Sequence, residues 1–340
     1  MSGRRRGGID VGRLGRLLDR VAGQRIVVVG DVILDRYWWG ASERISPEAP
    51  VPIVCVERES AALGGAGNVA RNAVALGASC VLCAVVGPDD AGRHVRELAA
   101  AEGIDARLVV EPDRPTTTKA RIVARGQQML RVDREVVTPI GRTARARLLE
   151  ALAPASDALH GAILVDYAKG GLPRAFVRRL MAHFGGADVP VAVDPKHDLG
   201  GLRGAALVKP NRVEAARLAG VADPDHVDPA GLLARLAKRL PGSDLCITDG
   251  ARGMTIAAAG SPARHVPTAA REIFDVQGAG DTTMAALWLA RLAGGSLLEA
   301  ALIANAAAGV VVGKIGTASA RVDEVRERLP EIVDAFRESA

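Results

Sequence analysis

Short, uninterrupted apolar runs recur along this chain, and they constrain its fold more than any other feature. They are Ile26 to Gly30, Val81 to Val86, Ala162 to Val165, Val189 to Val193, Ala206 to Val208 and Leu245 to Thr248. A strand with one wet face alternates apolar and polar residues, whereas a strand that is apolar throughout is covered on both faces. Between most of these runs lie stretches of helical period, at 66–77, 90–102, 173–184 and 230–240. Residues 11–22 add a further helix, with Val11, Leu14, Leu17, Leu18 and Val21 on one side. Strand and helix in alternation predict an α/β fold: a central, mostly parallel sheet flanked by helices.

Two segments break that rhythm. Residues 35–60 carry Pro47, Pro50 and Pro52 and then Ile53 to Val56. Residues 116–134 alternate, with Ala120, Ile122 and Ala124 facing one way and Lys119, Arg121, Val123 and Arg125 the other. Gly126-Gln127 turns the chain and Met129 to Asp133 returns. These segments predict antiparallel strands of a small sheet projecting from the main domain. Such a sheet has open edges and an apolar face that must pack on a ligand, the parent domain or a second subunit. There is no internal repeat and no long linker. The expected organisation is a disordered tail over residues 1–10 and a single domain over 11–340.

Composition narrows the function classes. The 340 residues carry a net charge of +5, and only six of the 44 basic residues are Lys. The one basic run, Arg4 to Arg6, has no interleaved aromatics and reads as a solvated tail, so no nucleic-acid partner is expected. Cys80 and Cys83 have zinc-like spacing, but no second Cys or His pair answers them, and their segment reads as a buried strand. The sequence shows no signal-peptide pattern and no apolar run of ~18 residues. A cytoplasmic protein without a membrane partner is expected. Of nine aromatic residues, three stand together as Tyr37, Trp38 and Trp39. They are expected to anchor the small sheet on the parent domain or a partner subunit.

The chemistry concentrates in Asp275-Val276-Gln277-Gly278-Ala279-Gly280-Asp281-Thr282, followed by a helical pattern. Gly278 and Gly280 let the backbone turn tightly, and a glycine turn opening a helix is an anion site. A carboxylate inside an anion site needs a task, such as taking a proton from an attacking hydroxyl. The plain alternative is that Asp281 caps the helix.

This string resembles the C-terminal signature of the ribokinase-like, or PfkB, carbohydrate kinases, with Val276 where the family has Thr. Leu63-Gly64-Gly65-Ala66-Gly67-Asn68, running on to Asn72, resembles the N-terminal signature. The resemblance runs from Gly30-Asp31 to Gly316 and implies that the projecting sheet is a lid over a sugar. It implies ATP as phosphoryl donor, Asp281 as catalytic base, and the amides of Gly278, Ala279 and Gly280 as the cradle of the transferring group. Asn211 and Glu214 match an Asn-x-x-Glu motif that organises Mg²⁺ and its waters; the bare pattern is also a capping box. Lys196, Thr248, Asp249, Gly250, Gly253 and Asn305 are expected along the nucleotide. Asp275 and the loop near Gly313 to Thr317 resemble a monovalent-cation site, with K⁺ the implied ion.

A narrower resemblance is to the heptose 7-phosphate kinases. It rests on the string Gly30 to Gly40, on Arg44 to Pro52, on Gln127 to Asp133, on Asp166 to Gly171 and on Asp194-Pro195-Lys196. It implies phosphorylation of the anomeric hydroxyl of D-glycero-D-manno-heptose 7-phosphate to the 1,7-bisphosphate, on the route to ADP-heptose. Many such kinases are fused to a C-terminal nucleotidyltransferase domain; a stand-alone kinase is the expectation here. Gln277 stands where those kinases usually carry Ser or Thr. Asp31, Gly64, Gly65, Asn68, Arg131 and Asp133 are expected around the sugar. Lys119, Arg121, Lys169 and Lys196 are candidates for its phosphate, Lys169 first. The lid face implies a homodimer, lid on lid. Two alternatives stand beside this reading: a kinase of another sugar or sugar phosphate, and a catalytically silent sugar- or nucleotide-binding regulator.

Overall fold

A computed structural model describes residues 9–153, 158–223, 227–268, 277–314 and 316–339. Residues 1–8, most of the expected tail, and Asp275 lie outside the described residues.

The apolar runs form strands close to where the sequence puts them. Chain order gives β1 (Arg25–Gly30), β2 (Val32–Ile45), β3 (Pro52–Gly65), β4 (Ser79–Val86), β5 (Asp105–Val110), β6 (Thr118–Ala124) and β7 (Gln127–Arg134). It continues with β8 (Gly161–Val165), β9 (Val191–Asp194), β10 (Leu207–Val208), β11 (Asp244–Thr248), β12 (Met254–Ala257) and β13 (Arg264–Val266). Among the described residues, nine strands make one sheet in the order β13-β12-β11-β10-β9-β8-β1-β4-β5. Pairing is parallel from β11 through β5, and β12 and β13 run antiparallel at one edge. From β1 the chain first builds outward through β4 and β5, then returns to the other side through β8 and β9. Strand order therefore reverses between β1 and β8, where ligands of open α/β sheets bind beyond the carboxyl ends of the strands.

Both faces of this sheet are covered, as the uninterrupted apolar runs require. Ile26 and Val28 of β1 enter one core, with helices α1 (Val11–Val21), α2 (Ala66–Ala75), α3 (Asp90–Ala101), α8 (Ala279–Leu292), α9 (Leu297–Val312) and α10 (Val322–Ser339). Val27 and Val29 enter the other, with α4 (Arg142–Leu152), α5 (Arg174–Gly186), α6 (Arg212–Leu218) and α7 (Pro229–Arg239). Helices α8 and α9 are apolar on nearly every side because they sit inside the layer, covered by other helices as well as by the sheet.

The two irregular segments form a four-stranded sheet in the order β3-β2-β6-β7. It is mixed, not antiparallel throughout as expected. The β2–β3 and β6–β7 pairs are antiparallel, but β2 and β6 run parallel. The reason is connectivity. Between β3 and β6 the chain crosses through α2, β4, α3 and β5, so no tight hairpin fixes the direction of β6, which returns against β3 and lies parallel to β2 on its other edge.

Register sorts the lid into two unlike faces. Asp35, Tyr37 and Trp39 stand beside Lys119, Arg121 and Val123, which pair in turn with Asp133, Arg131 and Gln128. Leu34, Trp38, Ala120, Ile122, Leu130 and Val132 make the opposite, apolar face. Leu130 and Val132 there are about half exposed, at 55% and 49%. The aromatic cluster is thus split by the pleat. Tyr37 and Trp39 stack at 5.5 Å on the polar face, while Trp38 belongs to the apolar one. Tyr37 carries the anchoring role: its hydroxyl lies 2.9 Å from Gln277 Oε1 and 2.9 Å from Thr317 Oγ1 on the parent domain.

Candidate active site

Helix α8 begins on Gly278, whose φ of +78° is left-handed. A Cβ at Gly278 would also come within 2.7 Å of the Asn68 amide nitrogen, so only glycine opens the helix here. The first helical hydrogen bond runs from Thr282 N to Gly278 O. The N–H groups of Ala279, Gly280 and Asp281 precede that ladder and leave the helix at its positive end, the arrangement that holds a phosphate.

Asp281 does not cap this helix. Its Oδ2 accepts from Asn68 Nδ2 at 2.8 Å and its Oδ1 from the Tyr167 hydroxyl at 2.7 Å. The residue is only 4% exposed. Burial pushes its carboxyl up to about 6; the bonds from Asn68 and Tyr167 and the charge of Lys209 oppose that rise, and Asp194 adds to it. A carboxyl poised there is ionised near neutrality yet basic enough to accept a hydroxyl proton.

On one side of Asp281 lies a cavity of about 270 Å³. Asn211, Thr248, Gly250, Gly253, Ala279, Gly280 and Asn305 all line it, together with Ala308, Gly309 and Val312 of α9. The structure therefore brings the expected nucleotide residues together from β11, a 3-10 turn (Gly250–Arg252) and two helices. Asp249 faces away from this cavity. It accepts two bonds from Arg252 at 2.8 Å and one from Arg212 at 3.1 Å, and Arg252 foremost holds its carboxyl below the ordinary value. Asn305 donates from α9 to the Pro267 carbonyl.

The Asn-x-x-Glu motif is a capping box at the start of α6. Glu214 N donates to Asn211 Oδ1 at 2.9 Å, and Asn211 N donates to Glu214 Oε2 at 2.8 Å. Glu214 Oε1 takes the Lys196 ammonium, which also stands 5.7 Å from the Tyr167 ring centre. Behind them, Lys209 and Asp194 form a buried ion pair at 2.9 Å.

The other side of Asp281 is bounded by the first strand and the lid. Asp31, after β1, accepts from the backbone N–H groups of Tyr167, Lys169 and Gly171 at 2.9, 3.0 and 2.8 Å. Its carboxylate thus shapes the loop after β8. Gly64 and Gly65 end β3; a Cβ on Gly64 would sit 2.1 Å from Asp35 Oδ2. Asp35 pairs with Arg121 at 2.6 Å, both nearly buried, and Arg121 lies 5.4 Å from the Tyr37 ring centre. Lys169 is held by Glu135 at 2.8 Å, and Arg131 grips Asp133 through two bonds of 2.9 and 3.0 Å. Lys119 differs from these. Among the described residues it has no ion-pair partner, and burial, reinforced by the charge of Lys169, lowers its ammonium pKa. It is the cation on this face whose charge no neighbouring carboxylate takes up directly.

Tyr167 and Glu135 were not singled out by the sequence reading. Tyr167 lies within the string Asp166 to Gly171, but its reach to Asp281 depends on a loop folded by Asp31, which no local pattern announces.

Comparison with known proteins places the chain in a family. The description "pfkB family carbohydrate kinase" matches residues 24–324. The chain is 48% identical over 299 residues to the bifunctional protein HldE of Caulobacter vibrioides, covering 87% of this chain and 61% of that protein. It is 44% identical over 313 residues to the bifunctional protein HldE of Paramagnetospirillum magneticum, covering 91% and 64%. The chain thus spans less than two thirds of the length of these relatives. In fold it resembles phosphofructokinase-2 from Escherichia coli in complex with potassium, with a TM-score of 0.76, 19% identity and coverage of 91% and 99%. It likewise resembles Arabidopsis thaliana ribokinase complexed with ribose and ATP, with a TM-score of 0.67, 19% identity and coverage of 91% and 98%. The chain belongs to the pfkB family of carbohydrate kinases, phosphotransferases with an alcohol group as acceptor.

Proposed function

We propose that this kinase transfers the γ-phosphoryl group of ATP to the anomeric hydroxyl of D-glycero-D-manno-heptose 7-phosphate, giving the 1,7-bisphosphate and ADP on the route to ADP-heptose. The observation that carries the reading is the placement of Asp281. It lies at the amide-rich start of α8, between the 270 Å³ cavity and the cationic inner face of the lid. The narrower substrate rests on the strings at Gly30 to Gly40, Arg44 to Pro52 and Asp166 to Gly171, and on kinship with proteins named HldE.

In this mechanism the cavity holds the nucleotide, and the amides of Gly278, Ala279 and Gly280 hold the transferring group. The acceptor hydroxyl attacks the γ-phosphorus. Its proton passes to Asp281, the bond to the β,γ-bridging oxygen breaks, and ADP leaves. The transition state spreads charge over the phosphoryl oxygens, so positioning and fixed dipoles supply most of the catalysis. Asp31, Gly64 and Gly65 border the sugar, with Asn68 behind them holding Asp281. Lys119 offers the sugar phosphate its charge, with Lys169, Arg131 and Asp133 beside it.

Asn211 and Glu214 fit magnesium as outer-sphere residues. Asn211 lines the cavity and Glu214 is joined to it through the capping box, and among the described residues no cluster of three carboxylate, His or Cys side chains forms a protein cage. An ion that keeps most of its waters would suit such a pair. The metal would neutralise phosphate charge. The proposed K⁺ site at Asp275 lies outside the described residues; the potassium-bound relative supports the assignment. ATP and a sugar phosphate as substrates fit a cytoplasmic enzyme, and among the described residues no helix is long and apolar enough to cross a membrane. The apolar outer face of the lid, with Leu130 and Val132, is the proposed surface of a homodimer.

The test is ADP release from purified protein, ATP and Mg²⁺ over a panel of sugars and sugar phosphates. Turnover is expected to be highest with the heptose 7-phosphate. Turnover confined to ribose, fructose 1-phosphate or adenosine would overturn the substrate and leave the kinase class intact.

A further inference from the structure

We propose that Tyr167 is a positioning residue for Asp281, its phenol fixing the carboxylate plane and favouring the ionised form that accepts the proton. This rests on the reading of Asp281 as the base. The phenol and the Asn68 amide reach opposite carboxylate oxygens, at 2.7 and 2.8 Å. Two donors on two oxygens stop rotation of the group and leave each oxygen a further lone pair for the acceptor hydroxyl.

The loop that presents Tyr167 is built at some cost. Ala168 has a φ of +55°, a conformation that a residue with a Cβ rarely adopts, and the buried Asp31 clamps the flanking amides. A side chain that merely filled space would not need this loop. Burial, then the charge of Asp281, keeps the phenol protonated well above its ordinary range, so toward Asp281 it acts as a donor.

The electrostatic surroundings come from several elements. Asn68 and Arg71 face Asp281 from α2, Asp194 from β9, and Lys209 from the end of β10; Asp35 of the lid and Lys196 face Tyr167. Asp194 favours the protonated carboxyl, and Lys209 favours the ionised one. Replacing Tyr167 with Phe changes none of these charges, so its effect isolates one hydrogen bond.

The experiment is the pH profile of kcat/KM for Tyr167→Phe beside wild type and Asp281→Asn. Loss of a hydrogen bond to an ionised group should move the acid limb up from about 6 by about one pH unit, with KM for ATP unchanged. A superimposable profile with full activity would overturn the proposal. Should Asp281→Asn be inactive while the Tyr167→Phe limb stays in place, only the role of Tyr167 falls. Should Asp281→Asn retain activity, the base assignment itself falls. A second readout does not depend on the variant folding. The chain has two tyrosines, so 3-fluorotyrosine protein should give two ¹⁹F signals, assigned with Tyr37→Phe. The Tyr167 signal should titrate with a midpoint matching the acid limb; a signal flat across that limb would contradict the contact.

Discussion

Asn68 donates its side-chain amide to Asp281 Oδ2 at 2.8 Å, joining two signatures that lie 213 residues apart. The glycine-rich start of α2 and the glycine turn of α8 are therefore one construction. Asn68 is fully buried, and its own Oδ1 is bonded by Asn72 at 3.2 Å. The sequence reading places Asn68 at the sugar; its side chain is directed at Asp281.

Removal of the base should act on chemistry and spare binding. Asp281→Asn is expected to lower kcat by about 10²- to 10⁴-fold, the usual worth of general base catalysis, with the ATP Kd changed less than about twofold. Steady-state rates and calorimetric titration with ATP measure the two effects separately.

The same residue should mark the pH dependence of stability. Its native value of about 6 lies above the ordinary 3.8, so between these values the folded state binds more protons than the unfolded chain. The stability contributed by the protonated group is present below about 4 and lost as pH rises through 6. Denaturant unfolding of wild type relative to Asp281→Asn should show wild type losing roughly 3 kcal/mol between pH 4 and 7, and a constant difference above.

Lys119 should determine affinity for the phosphate of the sugar. A charge-assisted hydrogen bond is worth about 1.5–3 kcal/mol. Lys119→Met is therefore expected to raise KM for the phosphorylated sugar about 10- to 100-fold while leaving KM for ATP within about twofold. Initial rates with each substrate varied in turn provide the measurement.

Gly64 should resist any side chain. A Cβ there would meet Asp35 Oδ2 at 2.1 Å and push it from Arg121, and breaking a buried pair costs about 3–5 kcal/mol. Gly64→Ala should lower stability by an amount of this order, read from its denaturation midpoint.

If the outer lid face joins two copies, a charge there should part them. Leu130→Glu places a carboxylate on the apolar face and should turn a dimer into a monomer by light scattering, with the main sheet unchanged by circular dichroism.

The main sheet was legible because burial on both faces writes itself into each strand, as in Val27 to Val29. The wall of the cavity beside Asp281 was legible for a similar reason: Thr248, Gly250, Gly253 and Gly280, which line it, follow strand ends or open helices, where local pattern and position coincide. The lid was harder to read. Its parallel β2–β6 pair depends on a crossover of the whole chain, and Arg121 proved a buried partner of Asp35 rather than a free phosphate ligand. Charge patterns do not say which cations are already paired. Lys169 and Lys196, each matched to a glutamate, make the same point. Tyr167 was hidden for another reason, since its function depends on Asp31 bonding three backbone amides across the reversal point of the sheet.

Product structure tests the central claim most directly. Wild-type protein incubated with ATP, Mg²⁺ and D-glycero-D-manno-heptose 7-phosphate should yield a sugar with two phosphorus resonances, the new one coupled by ³¹P–¹H NMR to the anomeric proton. A new phosphate on any other carbon, or ADP formed with no phosphorylated product, would contradict it.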